Sequence, residues 1–247
     1  MTPIVAYSLG RVDYTVAHAL QERLQTARIR GEIPNTLLLL EHPPVITLGR
    51  TGKLTDVLLA REALSARGID VQETGRGGEV TLHAPGQLVA YPIFDLRPDR
   101  CDVRRYVRDL GAVMIRLGAE FQLGGAPLDL RMQDAPHIGV WANLDTPTDF
   151  GEAPRRVKLG AIGVRLSHWV TMHGFAFNAS TDLSLYRTIV PCGIREHGVG
   201  SLQSLGVTEV PSVAELGARA AVHFAEVFDT SVRMASADEI AVIHSHA

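Results

Sequence analysis

Lysine is nearly missing from this chain of 247 residues: Lys53 and Lys158 are the only two, and arginine carries the rest of the positive charge. An arginine is effectively always protonated, whereas a lysine can be tuned to give and take protons. A lone lysine deep in the sequence is therefore a candidate for chemistry as well as for a solvated surface position. Cysteine is as scarce, with Cys101 and Cys192 alone. One pair is little support for a chain this size. The first ten residues lack a basic and then apolar leader, so a cytoplasmic, reducing setting with two free thiols is expected. No run of about 18 apolar residues occurs, which argues against membrane-spanning helices. The net charge is -3 and no block of like charge occurs, so nothing attracts nucleic acid in general. The ten histidines stand at no metal-site spacing to cysteine or carboxylate, and neither a metal nor a cofactor is expected.

What is present is patterned apolar sequence, 46% of the chain, enough for a sizeable core. Asp13 precedes a helical pattern with Tyr14, Ala17, Leu20 and Leu24 on one face and Gly31 beyond it, an N-cap and a stop. Residues 36–40 are short and uniformly apolar, as in a buried strand, and His42-Pro43-Pro44 turns the chain before extended residues 45–48. A second helix is predicted from an Asp102 cap, with Val103, Tyr106, Val107, Leu110, Val113, Met114 and Leu117 as its stripe and Gly118 as its end. Arg104, Arg105 and Arg108 fall mostly off that stripe, as a solvated face or as a docking surface for an acidic partner. Residues 79–83, 88–94, 138–142, 158–166 and 169–177 read as strands, and residues 145–156 as a surface loop. Ser212 and Glu215 form a capping box that opens a closing helix over about 212–228. The expected fold is α/β (α+β), a mixed β-sheet flanked by helices, in a single domain over 1–247.

Three segments pair polar residues with glycine. Residues 75–87 hold four glycines together with Arg76 and His83. Such glycines let backbone N–H groups approach a ligand, or serve only to build a hairpin. The segment lacks the Gly-Lys-Ser/Thr end of a P-loop and leads into a strand rather than a helix, which disfavours phosphate cradling. Lys158 leads a strand with Gly160 and Gly163 beside it, and His173 precedes Gly174 and Phe175. The repetition on neighbouring strands suggests a groove where a long apolar ligand lies against the sheet. Cys192, between Pro191 and Gly193 in a rigid turn, is either a small buried apolar residue or an aimed thiol whose pKa a neighbouring lysine would depress.

Taken in order and spacing, residues 76–87, 158–163, 172–178 and 189–194 resemble the motifs of the lipoyl(octanoyl) transferase family, over roughly residues 5–230. Residues 41–50 and 200–206 are similar to flanking segments of that family. The resemblance implies a fold shared with biotin and lipoate protein ligases, and transfer of an octanoyl group from octanoyl-acyl carrier protein to a lysine of lipoyl domains. Those acceptors are the E2 subunits of 2-oxoacid dehydrogenases and the glycine cleavage H protein. It also implies roles. Cys192 becomes the acyl-thioester nucleophile and Lys158 the residue that lowers its pKa. Arg76, Gly77, Gly78, Glu79, Val80, Thr81, Leu82 and His83 line the acyl site with Ala161, Ile162 and Gly163 and with His173, Gly174 and Phe175. No metal or nucleotide is needed, because the acyl group arrives activated. One departure stands out: the family's His-Gly-Pro-Gly-Gln is His83-Ala84-Pro85-Gly86-Gln87 here, and a residue before proline is extended, a conformation alanine adopts. A lipoate or biotin ligase on the same fold would need ATP and a basic phosphate loop. A non-catalytic acyl-binding module would lose the Cys192 and Lys158 pair, and a cysteine hydrolase would need a Cys-His-Asn arrangement that is not evident.

Overall fold

The computed structural model describes residues 2–135, 137–144, 156–190 and 198–236, together with residues 238, 239 and 242. In chain order its first half runs β1 (Ile4–Arg11), α1 (Tyr14–Ile29), β2 (Asn35–Glu41), β3 (Val45–Leu48), α2 (Arg61–Ser65), β4 (Asp70–Glu73), β5 (Val80–His83), β6 (Gln87–Ile93) and α3 (Val103–Ala119). The second half runs β7 (Gln122–Leu123), β8 (Ala126–Pro127), β9 (Leu130–Gln133), β10 (Gly139–Asn143), β11 (Arg156–Ser167), β12 (Val170–Asn178), β13 (Gly198–Val199), α4 (Val213–Phe228) and β14 (Val232–Met234).

The main sheet has nine strands in the order β14-β1-β2-β6-β12-β11-β10-β9, with β13 beside β11. Pairing is antiparallel from β2 through to β9 and parallel at β14-β1-β2 and β11-β13, so the sheet is mixed. Its centre explains the apolar run in β2. Leu37 and Leu39 face a core shared with α3 and α4, while Leu38 and Leu40 face the opposite core, shared with Ala17 and Leu20 of α1. A strand covered on both faces has no polar side to show. On the α4 side Phe224 stacks on Phe175 of β12 at 5.8 Å, and Phe228 meets Phe94 edge-on at 5.3 Å. A second sheet of three strands, β4-β3-β5, carries its own core of Ile46, Leu48, Val80 and Leu82, closed by Leu64 of α2.

Two of the three predicted helix starts carry their side-chain caps. Asp102 accepts from Arg104 N at 2.8 Å and Arg105 N at 3.1 Å, and Ser212 and Glu215 bond reciprocally at the head of α4. Asp13 does not: its side chain makes no capping bond, and only its carbonyl enters the helix, accepting from Ala17 N. The expected loop over 145–156 ends earlier than read, since Arg156 already pairs with Asn143 across β10 and β11; residues 145–155 lie outside the described residues. Ala84 is buried and is not among the residues with positive φ, so the alanine is accommodated without backbone strain.

Candidate active site

The two glycine motifs meet face to face. Gly77 N donates to Val164 O at 2.9 Å, which sews the 74–79 loop onto β11. At Gly163 an added Cβ would lie 2.9 Å from Gly77 O and 3.1 Å from Arg76 Cδ, so only glycine permits the approach. Gly78, at φ +86°, takes a left-handed turn that closes the loop. Arg76 is pulled inward by Thr47 of β3: its Nη2 donates to Thr47 O at 2.6 Å and to Oγ1 at 2.9 Å, and its Nη1 to Gly77 O at 3.1 Å.

Around this junction lies a cavity of about 380 Å³, at the lower end of the roughly 300–1,000 Å³ of small-molecule sites. Of the residues singled out from sequence, Arg76, Gly77, Gly78, Glu79, Thr81 and His83 line it from the loop and β5. Lys158, Ala161, Ile162 and Gly163 line it from β11, and His173, Gly174 and Phe175 from β12. Val80 and Leu82 are not brought to it: they alternate with Thr81 and His83 and point into the small-sheet core. From Lys158 to Val164 the wall spans seven residues of strand, about 20 Å of length at the usual rise.

Sequence reasoning missed part of the wall. Val103 and Val107, read as part of the core stripe of α3, line the cavity, and Val103 is 43% exposed. Tyr14 and Tyr91, which the helix and strand patterns treated as packing residues, line it too. An apolar residue at the first turn of a helix, beyond the reach of the core, was the available signal for Val103.

His83 and His173 of the cavity wall, with His42 beside them, form a cluster of neutral imidazoles. Val12 O can only accept, so His42 Nδ1, 2.6 Å away, carries its proton; His42 Nε2 then accepts from Tyr91 OH at 2.8 Å. Gln87 Nε2 donates to Asn178 Oδ1 at 2.8 Å, which leaves its Oε1 as acceptor for His83 Nδ1 at 2.7 Å. Burial pushes His42 down to about 4; burial first, then His42 and the Arg76 guanidinium, push His83 down to about 3. His173 is also driven to about 3, by burial and then by His18, Arg76 and Arg165. It takes φ +59° in the middle of β12, its N–H turned to Gln21 Oε1 of α1 at 2.9 Å, and its Nε2 has no hydrogen-bond partner among the described residues. A non-glycine residue held there stores backbone strain, as functional sites often do.

Lys158 is 8% exposed. Cys192 lies outside the described residues, and the described residues on either side of it are anchored. Before it, Val190 N donates to Asp56 O at 2.7 Å; after it, β13 runs parallel to β11 with Val199 opposite Lys158, and Gly200 N donates to Lys158 O at 3.0 Å. Asn178 ties the same exit down through Gly200 O at 2.9 Å. The described residues hold no cluster of three or more metal-ligating side chains and no helix long and apolar enough to cross a membrane.

Over residues 13–225 the chain matches the lipoyl protein ligase A/B catalytic domain. It is 45% identical over 222 residues to the octanoyltransferase of Solibacter usitatus, covering 90% of this chain and 91% of that one. To the octanoyltransferase of Myxococcus xanthus it is 43% identical over 230 residues, which are 93% of this chain and 61% of that longer one. In three dimensions it is similar to the bi-partite lipoate protein ligase of Thermoplasma acidophilum, with a TM-score of 0.66 at 14% identity over 100% of this chain and 92% of that one. That last likeness is one of fold.

Proposed function

This chain belongs to the lipoyl protein ligase A/B catalytic-domain family, as an acyltransferase of its octanoyltransferase branch, and we propose that it moves an octanoyl group from octanoyl-acyl carrier protein to a lysine of lipoyl domains through a thioester on Cys192. The acceptors are the E2 subunits of 2-oxoacid dehydrogenases and the glycine cleavage H protein, the setting is the cytoplasm, and the reaction begins endogenous protein lipoylation. The observation that carries this reading is the joining of Lys158 to the glycine motifs in one cavity, with β13, which begins six residues after Cys192, laid beside the lysine's own strand.

In the resting pair the lysine holds the proton and the cysteine reacts as thiolate. The thiolate attacks the carrier thioester, the carbon–sulfur bond to the carrier breaks, and the departing thiolate takes the proton of Lys158. The acceptor ammonium then gives a proton to the neutral lysine, and its free amine attacks the enzyme thioester. An amide forms, the cysteine thiolate is released, and the second amine proton passes to solvent. The Gly77 N–H is engaged by Val164 O, which leaves the backbone N–H of Gly78 or Gly163 for the tetrahedral oxyanion. The apolar wall of Val103, Val107, Ile162 and Phe175 suits an alkyl chain, and no ATP enters. The test is intact mass after incubation with octanoyl-acyl carrier protein and no ATP. One octanoyl group is expected on the chain and none on Cys192→Ser; an unmodified wild-type chain, or undiminished transfer by the serine variant, defeats the proposal.

A further inference from the structure

The surroundings of Lys158 hold one aromatic residue in an unusual place. Between Val140 and Trp141 the β10–β11 ladder slips, so that Val140 pairs with Gly160 and Trp141 with Lys158, leaving Leu159 as the extra residue. A bulge of this kind re-aims side chains, and here Trp141 stands directly opposite the lysine. Its ring is fully buried, its Nε1 donates to His137 O at 3.1 Å, and Lys158 Nζ lies 5.5 Å from its centroid. That is within the range at which an ammonium is attracted to an indole face. On the other side Gly139, at φ +150°, leaves the space the lysine stem occupies: a Cβ there would lie 2.5 Å from Lys158 Cε and 2.4 Å from Gly160 O.

We propose that Trp141 is a positioning residue, whose indole face, fixed by the bond to His137 and set opposite Lys158 by the bulge, holds the lysine ammonium in place for acyl transfer. The inference rests on the role given to Lys158 above. In this role its contribution passes through the lysine. A ring that favours the ammonium also favours the thiolate partner, and a ring that cannot rotate keeps the ammonium from swinging along the cavity.

The contact is tested first without turnover. Trp141 and Trp169 are the only tryptophans, and Trp169 lies in the exposed turn between β11 and β12. The imidazole of His137 also faces the indole edge-on, with ring centroids 6.4 Å apart, so it is replaced by glutamine, which keeps the backbone carbonyl that Nε1 uses. In a Trp169→Phe, His137→Gln background the emission of Trp141 is expected to change with pH in a single step that disappears in Lys158→Met. An unchanged step in Lys158→Met, or no step in the parent, overturns the proposal. The second arm compares Trp141→Phe, which keeps a ring, with Trp141→Leu, which does not. Activity within about threefold of wild type is expected for the first, and a loss of tenfold or more in kcat with an altered pH–rate profile for the second. A leucine variant with wild-type kinetics and profile overturns the proposal, and if that variant does not fold the emission titration still decides. Failure of the proposed function shows itself separately, as absence of the octanoyl adduct in an enzyme whose Trp141 emission follows Lys158.

Discussion

Lowering the pH from 7 to 5.5 should cost this protein a large part of its stability, because three buried histidines are neutral in the folded chain. A free imidazole has a pKa near 6.5, whereas His42 sits at about 4 and His83 and His173 at about 3. With folded values below the unfolded one, their contribution is fully present above pH 6.5 and is lost as the pH falls toward 4 and then 3. At pH 5.5 the unfolded chain binds nearly three more protons at these sites than the folded chain, a slope of about 4 kcal/mol per pH unit. Integrated from pH 7, each histidine costs about 1.3 kcal/mol and the three together about 4 kcal/mol, against a total of about 5–15 kcal/mol for an ordinary domain. Carboxylates, with ordinary values near 4, hardly titrate in this window. Urea unfolding followed by circular dichroism at pH 7, 6.5, 6 and 5.5 measures the loss, and His83→Gln should remove about a third of it. A stability constant to within about 1 kcal/mol over that range would refute the argument, since it would mean that these imidazoles are charged or water-accessible in the folded protein. The same neutrality has a consequence at the site: beside a permanent Arg76 guanidinium, an uncharged cluster leaves lone pairs rather than further positive charge in the cavity wall.

Three further outcomes are expected. Lys158→Arg keeps the charge but should lose at least tenfold in kcat, because arginine does not release its proton at working pH; near-wild-type turnover would remove the proton role of Lys158. Gly163→Ala drives a methyl to 2.9 Å from Gly77 O, and should cost about 1–3 kcal/mol of stability as an overpacked site does, with a loss of adduct formation that a mass measurement shows; a fully active alanine variant would mean the loop and β11 need not meet. Arg104, Arg105 and Arg108 are exposed on α3, whose Val103 and Val107 line the cavity. Their reversal to glutamate should raise the carrier's KM more than it lowers kcat, and added salt should weaken wild-type association likewise; kinetics indifferent to both would place the acidic carrier elsewhere.

What could be read from the sequence, and what could not, follows from the reach of each signal. The run at 36–40, the Ser212-Glu215 box and the Tyr106, Leu110, Val113, Met114 and Leu117 stripe of α3 were legible because a strand or helix states its own period within a dozen residues. β1 was not, because its first residues Ile4, Val5 and Ala6 are all buried and show no alternation, and β14 is only three residues long. On α1 the stripe of Tyr14, Ala17 and Leu20 was visible, but Gln21 and Gln25, polar by type, are buried beside it. Gln21 accepts from the His173 amide, and Gln25 Nε2 donates to Val170 O at 2.9 Å. Nothing in α1 announces that β12 will turn left-handed 152 residues later and present an amide to be satisfied. The site divides along the same line. Gly77 and Gly163 each advertise a close approach, yet that they approach one another is decided by the bond from Gly77 N to Val164 O, and hence by how the small sheet docks on the large one. Trp141 is the sharper case. By type it is a core residue, and it is fully buried as one; only the slipped register at Val140 puts its face over the one buried lysine among the described residues. A motif can therefore name the groups that meet at a site. The groups that hold them in place come from pairings between strands, and those are not written in either strand alone.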